Sequence, residues 1–522
     1  MRSPAKEKYQ QLPEDSRARF AEPAKPTLPS LAIYCFAIFA CLALICAITL
    51  TTANFLSIGF QFERNYNEGW NVYNAQRIVN HEFIYDDNYW RVNNYPIGSF
   101  LIVSGINLLV HDLLLSGRIV GLVSFVTIGA LAAIATRSFG GNRIDAIFGC
   151  ACTLAFCHLV APAWIMVDDP QILGEAVMLG GFVTYISRSP DRLSLLLAAL
   201  LIVLGGFIKH NLVAIPLAIT LDLAIRSPRQ LLFWLACCAG LAAGFFGLTQ
   251  VVAGGTFIDH LLSPRIFTWH GVRYHLIKYL RLFKFPLIAI VLLSPMVFSG
   301  RRAILAIWGI ISIAAATIFS GFEGTSYNIF QDAAVFLGIA AGMAFYELRK
   351  RISGGGLIRG RFVAIFLGIM LLFLAQPIFA RSTDTFRGIY DSGGLLEFNR
   401  RAEEAFLNDA RFISESHGPA FCESLLLCYV AGQPFILDPF NSRQYILAGK
   451  LDQGELIQRI AAREFAVIQV RADICDDPAT ASCHILHYPQ KFNRFTDETL
   501  YAIDRYYKIG RRSQDGTFYV PR

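Results

Sequence analysis

The sequence predicts a polytopic α-helical membrane protein: about 11 transmembrane helices, interfacial helices in the first outer loop, and a small C-terminal α/β domain. Three observations predict it. Of 522 residues, 54% are apolar and only 16% charged, against about 25% charged in soluble chains. Apolar runs separated by short Lys/Arg clusters fill residues 30–380, and the mean hydropathy is +0.46. Beyond Arg381 the pattern changes to amphipathic and strand-like segments. The net charge of +7 is small for this length, and its clusters read as orientation signals. No nucleic-acid partner is expected.

Residues 1–29, rich in Lys, Arg, Glu and Pro, read as a disordered cytoplasmic tail. The run 31–53 is a retained anchor helix, and an outer loop follows to Asn94. In that loop Asn67 is a plausible N-cap, and Trp70, Tyr73 and Ile78 recur at the spacing of a short interfacial helix. The stretch Tyr95–Val110 is read as lying on the outer surface. Counted as a span, it would put the basic loops 137–143, 188–192, 226–229 and 301–302 outside. The remaining spans are 117–136, 143–163, 170–187, 193–208, 211–226, 231–253, 286–299, 302–319, 329–346 and 362–379. The basic segment 347–361 is cytoplasmic, so residues 381–522 form an external domain, after a catalytic membrane domain at 30–380. Within that domain 395–414 and 454–463 read as helices, and 433–437 and 465–470 as strands.

Eight cysteines lie in apolar runs; the other four, Cys422, Cys428, Cys475 and Cys483, lie in the polar C-terminal part. Short spacings favour pairing Cys422 with Cys428 and Cys475 with Cys483, in an oxidising compartment. No Cys/His spacing suggests a metal, and Walker and Rossmann fingerprints and internal repeats are missing, which disfavours a nucleotide-driven transporter.

Polar groups that apolar spans do not need gather in four external patches. The first-loop patch has Glu68 at a helix start with Tyr73 and Arg91, followed by Asn94 and Tyr95. The second is Val167-Asp168-Asp169-Pro170-Gln171, where adjacent carboxylates at a span junction require a proton, a cation or a substrate hydroxyl. The third is Lys209-His210-Asn211, with a Lys suited to a phosphate. The fourth is the loop 254–284, whose Arg265, Lys278 and Arg281 face an anionic partner, with Asn328 in a nearby polar loop. Glu68 is expected as a catalytic base, with Asp169 and Asp168 as further catalytic acids, and the other residues as substrate ligands.

The ordered set Asn67-Glu68-Gly69-Trp70-Asn71-Val72-Tyr73, Asn94-Tyr95-Pro96, Asp168-Asp169-Pro170-Gln171, Lys209-His210-Asn211 and Ser326-Tyr327-Asn328 resembles that of bacterial GT-C glycosyltransferases. The likeness is to protein O-mannosyltransferases and to the aminoarabinose and galacturonic acid transferases of lipopolysaccharide. It spans most of the membrane part. Pro96-Ile97 departs from the double proline of many relatives. The resemblance implies a polyprenyl-phosphate-linked sugar donor and inverting transfer to a glycan, lipid or protein acceptor of the envelope. It implies the periplasmic face of a bacterial inner membrane, with membrane lipids as neighbours. A divalent metal is possible but not indicated. It maps the first acidic position onto Glu68, the second onto Asp169 or Asp168, and the carrier-phosphate cations onto Lys209 and the basic loop. A flippase or transporter of lipid-linked sugars, or a ligase using a diphosphate donor, is the competing reading.

Overall fold

Apolar runs become helices because backbone N–H and C=O groups in lipid must find partners within the segment. A computed structural model describes residues 28–187, 191–353, 361–391, 394–471 and 494–522. The expected tail up to residue 27 and the Cys475–Cys483 pairing lie outside the described residues. The helices of the apolar part are α1 (Leu28–Leu56), α2 (Tyr66–Val79), α3 (Gly98–Val110), α4 (Leu113–Ser138), α5 (Arg143–Val160), α6 (Pro170–Ser187), α7 (Arg192–Gly206), α8 (Ala214–Arg226), α9 (Pro228–Ala253), α10 (Phe257–Leu261), α11 (Trp269–Leu282), α12 (Lys284–Val297), α13 (Ala303–Phe319), α14 (Gln331–Ser353) and α15 (Arg361–Asp391).

Among the described residues seven helical stretches are long and apolar enough to cross a membrane, and α11 with α12 forms an eighth if that pair, bent by 75°, is one span. Eleven were expected. The difference lies chiefly at 170–226, where α7 and α8 have 15 and 13 residues. At 1.5 Å per residue they reach about 22 and 20 Å, short of a core about 30 Å thick. The break between them holds Lys209-His210-Asn211. The surface reading of Tyr95–Val110 corresponds to α3, only 13 residues long. In the interior α5 packs against α14, α4 and α1, and α6 against α7 and α4.

The C-terminal part continues with α16 (Leu395–Glu415), β1 (Ala420–Cys422), α17 (Leu425–Val430), α18 (Pro439–Leu447), α19 (Gln453–Ala461), β2 (Val467–Val470), α20 (Asp497–Tyr506), β3 (Tyr507–Ser513) and β4 (Gly516–Pro521). The strands form one sheet in the order β1-β2-β4-β3, with β1 and β2 parallel and the other pairs antiparallel. Phe406, Ala410 and Ile413 of α16 pack with Val467 and Phe518, in a core shared with Val72 and Ala75 of α2 and Val103 of α3. Leu456, Ile460, Leu500 and Ile503 pack with Ile468 and Tyr519 in a separate cluster.

The Cys422–Cys428 disulfide, Cα atoms 5.8 Å apart, brackets α17. That helix lies on α2 so closely that a Cβ at Gly69 would stand 2.0 Å from Leu426 N. Residues 433–437 join no ladder, contrary to the expected strand. Their interactions go instead to Tyr73, whose hydroxyl donates to Gln433 O at 2.8 Å and whose ring stacks on Phe435, centroids 4.8 Å apart. Tyr73, expected as a substrate ligand, docks the C-terminal part onto the first loop.

Candidate active site

The first loop and the 161–169 turn are clamped together by side chains that satisfy carbonyls. Asn65 caps α2 by accepting from Asn67 N at 3.0 Å, and its own amide donates to Ala163 O at 3.0 Å. Arg64 donates to Met166 O at 2.8 Å and Ile165 O at 3.2 Å, and Asn71 to Asp168 O at 2.5 Å. Met166 takes a left-handed φ of 57° in this turn. Polar side chains of the first loop are thus in part the hydrogen-bond partners of a buried turn.

Glu68 is wholly buried, and its two oxygens accept from Arg118 Nε at 2.6 Å and the second guanidinium nitrogen at 2.9 Å. Arg64 N donates to the same carboxylate at 2.9 Å. Burial pushes this carboxyl up, but the Arg118 guanidinium outweighs it and the group titrates below its ordinary value. Arg118 also donates to the carbonyls of Ile58, Phe60 and Phe62 at 3.2, 2.5 and 2.7 Å. Glu68 is therefore an anchor joining α2 to α4, with its lone pairs already engaged, which is a different task from the base expected of it. Arg118 was missed, counted inside an apolar span; an Arg one turn into such a helix is itself a signal.

Asp168 and Asp169 divide into two environments. The Asp168 side chain is buried against α4, where a Cβ at Gly117 would come within 2.2 Å of its Cγ. Burial, then the Glu68 and Asp169 carboxylates, pushes it well above the usual carboxylate range. Asp169 caps α6, accepting from Gln171 N at 2.9 Å, and its other oxygen accepts from Asn67 Nδ2 at 3.0 Å. The same amide is 3.4 Å from Tyr95 Oη. Asp169 thus stands one hydrogen bond behind a cavity of about 720 Å³ that both Asn67 and Tyr95 line.

That cavity also takes Asn94, Gln171, Lys209, His210, Arg265 and Asn328. Gly98 N donates to Phe207 O at 2.9 Å, which docks the start of α3 on the end of α7 and brings Tyr95 to Lys209. The Lys209 ammonium lies 3.5 Å from the Tyr95 ring centre. The residue is only 3% exposed, and no carboxylate among the described residues pairs with it. Arg265 sits over Phe440, 5.2 Å from its ring centre, and donates to Glu323 O at 3.1 Å. The C-terminal part adds Asp438, Asn441, Arg471 and Arg494 to the wall. Arg471 pairs with Glu63, and Arg494 pairs with Glu423 at 2.9 Å while lying 3.6 Å over the Tyr66 ring. Of these four, Asn441, Arg471 and Arg494 carried no motif.

Three expected ligands lie elsewhere. Arg91 pairs with Asp86 at 2.9 Å, in a network with Arg77 that ties down the first loop. Lys278 and Arg281 project from α11 into a neighbouring trough and do not line the cavity. Among the described residues no group of three or more His, Cys, Asp and Glu is placed to hold a metal ion.

His260 locks this geometry as a neutral ring. His260 Nδ1 accepts from Asn93 N at 3.0 Å, which leaves Nε2–H to donate to Asp86 O at 2.8 Å. Burial lowers its pKa, and burial with Lys209 and Arg265 lowers that of His210 to about 4. A histidine depressed in the folded state contributes stability that is full above its unfolded pKa of about 6.5 and is lost as pH falls toward the folded value. The melting temperature is accordingly expected to fall between pH 7 and pH 5, and to fall less in His210→Gln.

No protein-family model and no curated protein matches the sequence. Solved structures do match the fold. The crystal structure of ArnT from Cupriavidus metallidurans bound to undecaprenyl phosphate aligns with a TM-score of 0.54 at 12% identity, over 92% of this chain and 97% of that one. The apo state of the same protein aligns at 0.53 and 12% identity, over 94% and 98%. The Archaeoglobus fulgidus oligosaccharyltransferase tethered to an acceptor peptide aligns at 0.50 and 13% identity, over 94% and 74%.

Proposed function

We propose that the protein transfers a sugar from a polyprenyl-phosphate carrier to a hydroxyl of an envelope acceptor, with inversion at the anomeric carbon, on the periplasmic face of a bacterial inner membrane. The observation that carries this reading is Lys209, a buried ammonium inside a cavity of about 720 Å³ with a ring and, among the described residues, no carboxylate against it. A buried cation without a counter-ion is costly, and an anionic ligand offsets that cost. Arg265 and the neutral His210 stand on the same cavity wall. A carrier phosphate held there develops negative charge as the glycosidic C–O bond breaks, and fixed cations favour that development. The fold likeness to ArnT bound to undecaprenyl phosphate supports the same donor class.

Asp169 is the base of this proposal. The acceptor hydroxyl oxygen forms a bond to the anomeric carbon, the bond from that carbon to the phosphate oxygen breaks, and the carrier leaves as polyprenyl phosphate. The hydroxyl proton goes to Asp169, whose Oδ2 the acceptor reaches when the Asn67 amide on the cavity wall moves aside. Asn94, Tyr95 and Asn328 line the space between and bind the sugar.

Purified protein supplied separately with monophosphate- and diphosphate-linked sugars tests the reading. Transfer from the monophosphate donor alone is expected, with the donor KM raised at least tenfold in Lys209→Gln. Transfer from the diphosphate donor alone identifies a ligase instead, and movement of either lipid across the bilayer without transfer identifies a flippase.

A further inference from the structure

The helix α11 carries cations that the cavity does not use. Its sequence, Trp269 to Leu282, contains no Asp or Glu. His270, Arg273, Tyr274, Ile277, Lys278 and Arg281 recur at alternating steps of three and one and line a trough of about 340 Å³. That spacing puts them on one helix face. The opposite face, with His275 and Tyr279, is buried. Among the described residues Arg273 and Arg281 enter no ion pair, and the Lys278 ammonium meets only the Tyr327 ring, 3.7 Å from its centre. Trp269 is 77% exposed beside them, and Leu280 is exposed too. The 75° bend at Phe283 lays this helix across the direction of the apolar α12.

We infer that α11 rests on the membrane surface and binds the headgroups of anionic phospholipids in its basic trough. A helix with Lys and Arg on one face, Trp and Leu at its margins and a sharp angle to the adjoining apolar helix fits a charged lipid–water interface. A soluble acidic protein would leave Trp269 and Leu280 without an apolar medium. The contact also reaches the cavity: Tyr327, beneath Lys278, is part of the cavity wall, and Tyr274 lines both the cavity and the trough. Headgroup binding at Arg273 and Arg281 sets how α11 holds Tyr327 and thereby adjusts the cavity rim. This inference does not depend on sugar transfer.

The test uses the full chain in phosphatidylcholine vesicles with and without phosphatidylglycerol. Trp269 fluorescence is taken as the difference between wild type and Trp269→Phe, with either lipid brominated as quencher. Brominated phosphatidylglycerol is expected to quench more than brominated phosphatidylcholine. High salt should reduce the excess, and Arg273→Gln with Arg281→Gln should remove it, each cation accounting for about fivefold in local lipid association. Lys at both positions should restore it, which separates charge from misfolding. Equal quenching by both lipids in the wild type overturns the inference. So does a Gln variant that retains the lipid preference but raises the donor KM, since the cations would then serve the donor.

Discussion

Asp169→Asn is expected to leave the protein folded and to lower transfer by about 10²–10⁴-fold, the usual contribution of a positioned base. Asn is as good a helix cap as Asp, so the bond from Gln171 N and the start of α6 survive. What disappears is the capacity to accept a proton at the oxygen that now meets Asn67. Asp168→Asn is the internal control. Burial and two neighbouring carboxylates already favour the neutral form of Asp168, so a neutral isostere changes little. A loss in both variants, or in Asp168→Asn alone, would reassign the base.

Glu68→Gln is expected to fail in stability first. The substitution leaves the Arg118 guanidinium enclosed without a counter-charge, and breaking a buried pair from one side costs about 3–5 kcal/mol. The first loop, the 161–169 turn and α4 meet at this pair, so the cavity is lost with it. A thermal melt and limited proteolysis of the first loop read the effect directly. Glu68→Gln combined with Arg118→Met is expected to recover part of the stability, because it removes both charges. If Glu68 were instead the base, Glu68→Gln would melt like wild type and be inactive, and the double variant would gain nothing.

Much of this arrangement was legible in the residues. The apolar runs predicted the helices, and of the five separated motifs Asn67, Tyr95, Gln171, Lys209 and Asn328 line one cavity. The roles within the site were harder to read. Only three-dimensional packing brings Arg118, 50 residues away, onto Glu68. Lys209 and Lys278 look alike in the sequence, and only the fold puts the first in the cavity and the second in the trough. The cavity wall from the C-terminal part, Arg471 and Arg494 among it, has no local signature because its position follows from a core shared with α2 and α3. The span count departs from the described helices where short helices break at Lys209-His210-Asn211, since hydropathy records apolarity and not reach.

The most direct test is a cryo-EM map of the purified protein with a non-hydrolysable polyprenyl-phosphate sugar bound. The account predicts the phosphate against Lys209 and Arg265, the anomeric carbon turned toward Asp169, and the Glu68–Arg118 pair intact. The donor's phosphate seated in the trough of α11, or a Glu68 carboxylate released from Arg118 and facing the sugar, would contradict it.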